Sequence, residues 1–180
     1  MLETEQKLLE AVKAGERQAM RRLYERYKGY TMSIVLRYIP DDVDAEDVVQ
    51  DSFVKILTCI DQVQYRGEGS LTAWIGRVVM NKALDYVRHH ERICFTATIP
   101  DIPDEEDHLE RVPPEVLTRM IAQLPTGYRL VLNLYVFEQY SHKDIARQLG
   151  INERSSASQF SRAKKLLTKM IKDYLKQHGI

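Results

Sequence analysis

The stretch TATIPDIPDEEDHLERVPP, Thr96 to Pro114, holds four of the chain's six prolines and six carboxylates against one arginine. Proline removes a backbone donor and pushes the residue before it out of the helical region. Clustered carboxylates resist burial. No core element crosses such a stretch, so the chain must fold on either side of it. This predicts two lobes, residues 1–95 and 115–180, joined by an acidic flexible linker at 96–114. At 180 residues, the length suits one to two domains of ~100–200 residues each.

On both sides, apolar residues recur at helical spacing and nothing alternates over strand length, which predicts an all-α fold. Leu8, Leu9 and Val12 mark a first helix ending near Gly15. Met20, Leu23, Tyr27 and Ile34 mark a second that stops before Pro40. Asp44 reads as the N-cap of a third, with Glu46 and Asp47 in its first turn, where acids favour the positive helix end. Val48, Phe53, Ile56, Leu57 and Ile60 carry that helix. Ser70 reads as the cap of a fourth, with Trp74, Ile75, Val78 and Val79 inside, then Leu84 and Val87. Helical spacing resumes at Val116, Leu117, Met120 and Ile121. Pro125 and Gly127 punctuate it before Leu130, Leu134 and Phe137.

Net charge is zero, but it is unevenly distributed. From Cys94 to Val116 seven acids face one base; from Leu117 onward eleven bases face four acids. Such blocks point to separate partners, and a basic block is the footprint of a phosphate backbone, with a solvated charged face as the plain alternative. With 44% hydrophobic and 29% charged residues, the chain can bury a core. No run approaches the ~18 apolar residues of a membrane span, and the charged N-terminus lacks a signal-peptide core. Cys59 and Cys94 form no CxxC or Cys/His cluster, so no zinc site or disulfide framework is expected. The acids near Asp44 read as dipole partners rather than metal ligands. No serine–histidine–acid set, P-loop or HExxH occurs, and the five histidines fall at helix ends or in the acidic segment. These signs describe a cytosolic, non-enzymatic protein without cofactor or membrane insertion.

The most informative stretch is YSHKDIARQLGINERSSASQFSRAKKLL. Ser141 followed by Asp144 resembles a capping box. Ile145 and Leu149 form an apolar face, and Ala146 is small where a second helix must cross. Gly150 permits the tight turn, since glycine alone takes positive φ without steric cost. Ile151 plugs the corner and Asn152 can cap the next helix. This order is that of a helix-turn-helix, whose second helix enters the major groove. Ser155, Ser156 and Ser158 then make sense as short side chains on a leading face that lets the backbone approach the bases. Gln159 suits adenine, and Arg162, Lys164, Lys165 and Lys169 suit phosphates or guanine. A solvated helix surface after an ordinary glycine corner is the plainer reading.

In the first lobe, DAEDVVQDSFVKIL sets Asp44, Glu46, Asp47 and Asp51 beside Val48, Val49 and Phe53, which suits a protein–protein surface. YRGEGSLTAWIGRVVMNKALDYVRHHER joins a glycine-rich loop to a helix with Arg77, Asn81, Lys82, Arg88 and Arg92. Tyr65, Trp74 and Tyr86 read first as core, yet a polar loop against basic and amide groups can hold an unpaired base. Two other functional readings stand at this level. One is a helix-turn-helix repressor or activator with an N-terminal ligand or dimer domain. The other is an adaptor whose basic lobe binds acidic protein.

With GERQAMRRLYERYKGYTMSIVLRYI preceding these motifs, the ordered set resembles the sigma factors of bacterial RNA polymerase, and within them the extracytoplasmic-function group. The resemblance spans nearly the whole chain outside the acidic segment. It implies a transcription initiation factor whose partners are core RNA polymerase and promoter DNA, with an anti-sigma factor as a further candidate. Asp47, Gln50, Asp51 and Phe53 then match the surface for the polymerase clamp helices. Arg77, Asn81, Lys82 and Arg88 match the minus-ten helix, and the loop from Tyr65 to Ser70 the one that captures a flipped base. Ser158, Gln159, Ser161, Arg162 and Lys165 fall on the minus-thirty-five reading helix, and the acidic segment takes the place of the linker threaded towards the RNA path. Three positions depart from the family pattern: Arg154 stands where glycine is frequent, Ser156 where an apolar residue is, and Ala157 where a base is. The last removes an expected phosphate contact, and Ser156 is expected to loosen the packing of the helix.

Overall fold

The computed structural model describes residues 4–90 and 112–179, and the chain divides into two compact units at His90. Among the described residues every regular element is helical. The first unit contains α1 (Glu5–Lys13), α2 (Arg17–Tyr38), α3 (Asp42–Cys59), a single 3-10 turn (Ile60–Gln62) and α4 (Ser70–His90). The second contains α5 (Pro114–Ala122), α6 (Thr126–Val136), α7 (His142–Leu149) and α8 (Glu153–His178).

In the first unit α2, α3 and α4 pack on one another, while α1 lies against α2 and the 3-10 turn. Leu23, Val35, Ile56, Ile75 and Leu84 are fully buried where the three long helices meet, and Leu8, Leu9 and Val12 bury the inner side of α1. Each such side chain contributes about 1.5–3 kcal/mol. The start of α3 differs from expectation. Its cap is Asp41, whose Oδ1 accepts from the amides of Val43 and Asp44, both at 3.0 Å. Asp41 follows Pro40 directly in extended backbone, which sets its short carboxylate over the helix end. Asp44 lies inside the first turn.

The second unit is organised around α8, which touches α5, α6 and α7. Its core includes Tyr128, Leu130, Leu134 and Ala163, all without solvent exposure. Buried Arg129 donates to the carbonyls of Ala122 and Leu124, both at 3.1 Å, so a guanidinium closes the C-terminal end of α5. The expected linker ends earlier than its composition suggests. Pro114 is the first residue of α5, where its missing amide costs nothing, and Val112 is buried with Met120, Ile171 and Leu175. The rest of the acidic segment lies outside the described residues, as do Arg92 and Cys94.

Candidate nucleic-acid interface

Three surfaces come together from the expected residues. The first is the outer face of α3. Asp47, Gln50 and Asp51 are exposed along one stripe, and Val43 and Val54 bracket it with 70% and 66% of their surface open to solvent. Carboxylates flanked by exposed apolar side chains suit protein contact better than phosphate. Phe53 is not on this face. It is 6% exposed and packs on Tyr24 at a ring distance of 4.7 Å, because its position turns it towards α2. The surface position expected of Phe53 is therefore not the one its buried ring occupies.

The second surface runs along α4 and the loop before it. Arg77, Asn81 and Arg88 are exposed and share a stripe at helical spacing. Arg88 pairs with Asp85 on that stripe at 3.2 Å. Lys82 is rotated off it and lines a cleft with Val48, Asp51 and Tyr86. At the stripe's N-terminal end opens a recess of about 500 Å³ lined by Gln62, Val63, Gln64, Arg66, Ser70, Ala73, Trp74 and Arg77. Two guanidiniums, two amides and one indole around a polar recess can stack a base, bond its edge and hold its phosphate. Trp74, expected inside, is half-buried and borders this recess. Ser70, expected as a cap, instead closes the loop: its hydroxyl donates to the Gly67 carbonyl at 2.6 Å and accepts from the Arg66 amide at 3.2 Å.

Loop and helix are tied down from elsewhere. The buried Glu5 carboxylate accepts from Gly69 N at 2.8 Å, Leu71 N at 3.3 Å, Thr72 Oγ1 at 2.6 Å and Tyr27 OH at 3.1 Å. An anion there also faces the positive end of α4. Burial raises its pKa, but the hydrogen bonds from Thr72, Tyr27, Gly69 and Leu71 outweigh burial and hold it below the ordinary carboxylate value. Neither Glu5 nor Lys13 stood out in the sequence.

The third surface is the helix-turn-helix. Ser141 accepts from the Asp144 amide at 3.2 Å, and its hydroxyl donates to the Asp144 carboxylate at 2.5 Å. Gly150 takes φ 68° and ψ 31°, and Asn152 accepts from Ser155 N at 2.7 Å. Along α8, Ser158, Ser161, Arg162 and Lys165 share one stripe, Ser161 exposed and the other three half-buried, with exposed Arg154 one turn earlier. Two expected leading-face residues do not. Ser156 is fully buried, its hydroxyl 3.0 Å from His142 Nδ1, and Gln159 is 2% exposed. Ser156, Gln159 and Ala163 form one inward ridge at spacings of three and four, so both polar side chains fit α8 to its neighbours. The departure at Ser156 is therefore met by a hydrogen bond. Tyr135 stacks on His142 at 4.7 Å and meets Phe160 at 4.3 Å, joining α6, α7 and α8.

A fourth feature lay outside the sequence reading. Tyr135, Val136 and Phe137 are 39%, 49% and 44% exposed, and beside them runs an apolar groove between α5, α6 and α8. Among the described residues no group of His, Cys, Asp and Glu is placed to hold a metal, and no helix is long and apolar enough to cross a membrane.

Residues 23–93 match the family description "Sigma-70 region 2" and residues 115–167 match "Sigma-70, region 4". The chain is 26% identical over 190 residues to the RNA polymerase sigma-H factor of Pseudomonas aeruginosa, covering 97% of each chain. It is 25% identical over 189 residues to the ECF RNA polymerase sigma-E factor of Salmonella typhimurium, again covering 97% of each. Among solved structures, it is similar to the sigma factor RpoE in complex with the anti-sigma factor NepR from Bartonella quintana. That match has a TM-score of 0.51 at 18% identity, over 84% of this chain and 96% of that one, and supports the helical fold.

Proposed function

Because the chain belongs to the sigma-70 family of bacterial RNA polymerase sigma factors, in its extracytoplasmic-function group, we propose how its two units divide the work of initiation. The protein is a transcription initiation factor that binds core RNA polymerase and directs it to specific promoters. In our reading, the α3 stripe of Asp47, Gln50 and Asp51, with Val43 and Val54, docks on the polymerase. Arg77, Asn81 and Arg88 take the minus-ten element, and the recess between loop and α4 receives one unpaired base. Ser158, Ser161, Arg162 and Lys165, with Arg154, read the minus-thirty-five duplex. Phe53, Lys82 and Gln159 keep supporting places in this scheme.

The observation that carries the reading is the chemical contrast between the outer face of α3, acidic with apolar ends, and that of α8, basic and small-sided. No catalytic group is needed. Unstacking a base costs roughly a few kcal/mol, which capture in a shaped recess offsets. A chain of zero net charge gains little from counterion release, so DNA affinity without polymerase is low. Work alongside polymerase sets it in the cytoplasm. The Bartonella structure was solved with an anti-sigma factor, and an inhibitor of that class covering the Tyr135–Phe137 edge is the matching proposal here.

Transcription in vitro with purified core polymerase over a promoter library tests the whole reading; promoter-specific initiation is expected, and its absence ends the proposal. In the same assay Asp51→Arg should weaken core binding by ~100-fold, since opposed like charges cost several kcal/mol. Helical content should stay unchanged.

A further inference from the structure

We propose that α1 is a positioning element for the recess, a reading that rests on the function above and extends it. Glu5 and Lys13 hold segment 61–72, the loop with the two helix ends that flank it, in the shape that accepts an unpaired base. Neither residue lines the recess, so both act through residues that do or that adjoin them: Lys13 through backbone carbonyls, Glu5 through two backbone amides and the Thr72 hydroxyl. Lys13 Nζ donates to the carbonyls of Val63 at 2.6 Å and Asp61 at 3.3 Å, beside the lining residues Gln62, Val63 and Gln64. Glu5 fixes the far end through Gly69, Leu71 and Thr72, just before Ala73, Trp74 and Arg77 on the recess wall. One helix thus grips both ends of the segment, and its two gripping residues lie just over two turns apart.

The loop needs this support. Gly67 and Gly69 take φ of 117° and 86°, and glycine sterics alone do not select those values over others. The Ser70 contacts close the tip between Arg66 and Ser70, and they leave the flanking lining residues Gln62, Val63, Gln64, Ala73, Trp74 and Arg77 to be placed by other bonds. Outside bonds to both ends turn a mobile-composition loop into a shaped one, and a shaped acceptor avoids paying the ordering cost on binding.

The test uses holoenzyme assembled from full-length protein and core polymerase, with forked promoter DNA carrying single abasic substitutions along the minus-ten non-template strand. Wild type should show a peak: one position whose abasic substitution weakens binding by about tenfold, the scale of one stacked base. Glu5→Gln and Lys13→Met should each flatten that peak to within about threefold. Penalties at the other positions, core affinity and minus-thirty-five duplex affinity should persist in both. Lys13 is exposed at the end of α1, so its variant keeps the test sound if Glu5→Gln folds poorly. Retention of the full peak in both variants overturns the proposal. A uniform loss across all positions also overturns it, since that is the mark of a stability element. A wild-type profile with no peak removes the recess as a base site as well, whereas promoter-specific initiation by the same holoenzyme would still uphold the wider function.

Discussion

The turn at Gly150–Asn152 and the loop at Asp61–Gly69 each lead into a helix that we assign to DNA, and they are held in opposite ways. The turn is self-sufficient: Gly150 supplies the left-handed residue and Asn152 caps α8 three residues on. The loop borrows its order, from Glu5 and Lys13 at sequence separations between 48 and 67 residues. A duplex groove presents a fixed shape, so a locally determined corner suffices to aim a helix into it. A recess for one extruded base must keep its own shape before the base arrives, and here the restraint comes from another helix.

Substitutions can separate the two designs. The lone tryptophan, Trp74, lies in the first unit, so its fluorescence follows that unit alone. Glu5→Ala should have the largest effect, about 3 kcal/mol in urea unfolding followed by Trp74, because several donors lose a shared acceptor. A loss under about 1 kcal/mol would mean the loop holds itself and would erase the contrast. Gly150→Ala should cost ~1–2 kcal/mol through its left-handed backbone, visible by circular dichroism, with the Trp74 transition unmoved. Asn152→Ala should cost about 1 kcal/mol, the usual worth of an N-cap; movement of the Trp74 signal in either variant would show the turn to be less local than described.

The smallest effect concerns acid. The Glu5 carboxyl is depressed in the folded chain because its hydrogen bonds outweigh burial. Its contribution is therefore complete above the unfolded-state pKa of about 4.3 and is lost as pH falls through the lower folded value. Trp74-detected stability should drop over that acidic window in wild type. Glu5→Gln, unable to ionise, should lack that part of the decline, and parallel curves would count against an ionised carboxylate.

What was legible in the sequence follows the same division. Ser141, Gly150 and Asn152 act within four residues of themselves, and reading them forward gives the observed corner. Glu5 sits in LETEQKLL, where a carboxylate looks like any solvated helix residue; nothing local announces partners on α2 and at the start of α4. The cap of α3 was missed by three residues because Asp41, Asp42 and Asp44 are equivalent by type, and only the path out of Pro40 distinguishes them. Phe53 and Gln159 were assigned to contact surfaces by motif, whereas helical phase turns them inward. For Gln159 the signal was present: Ser156 and Ala163 flank it at core spacing. The exposed edge at Tyr135–Phe137 hid for the opposite reason, since apolar side chains at a helix end read as core.

Val112, where the described part of the second unit begins, is buried against Ile171 and Leu175, near the end of α8 opposite Ser158 and Ser161. That helix runs unbroken from Glu153 to His178, so the anchor and Ser158 and Ser161 are separated by about 15–25 Å along one rod. A rod with no joint passes on what it receives. Whatever tilts α8 at the Val112 anchor therefore tilts its serine-bearing end as well.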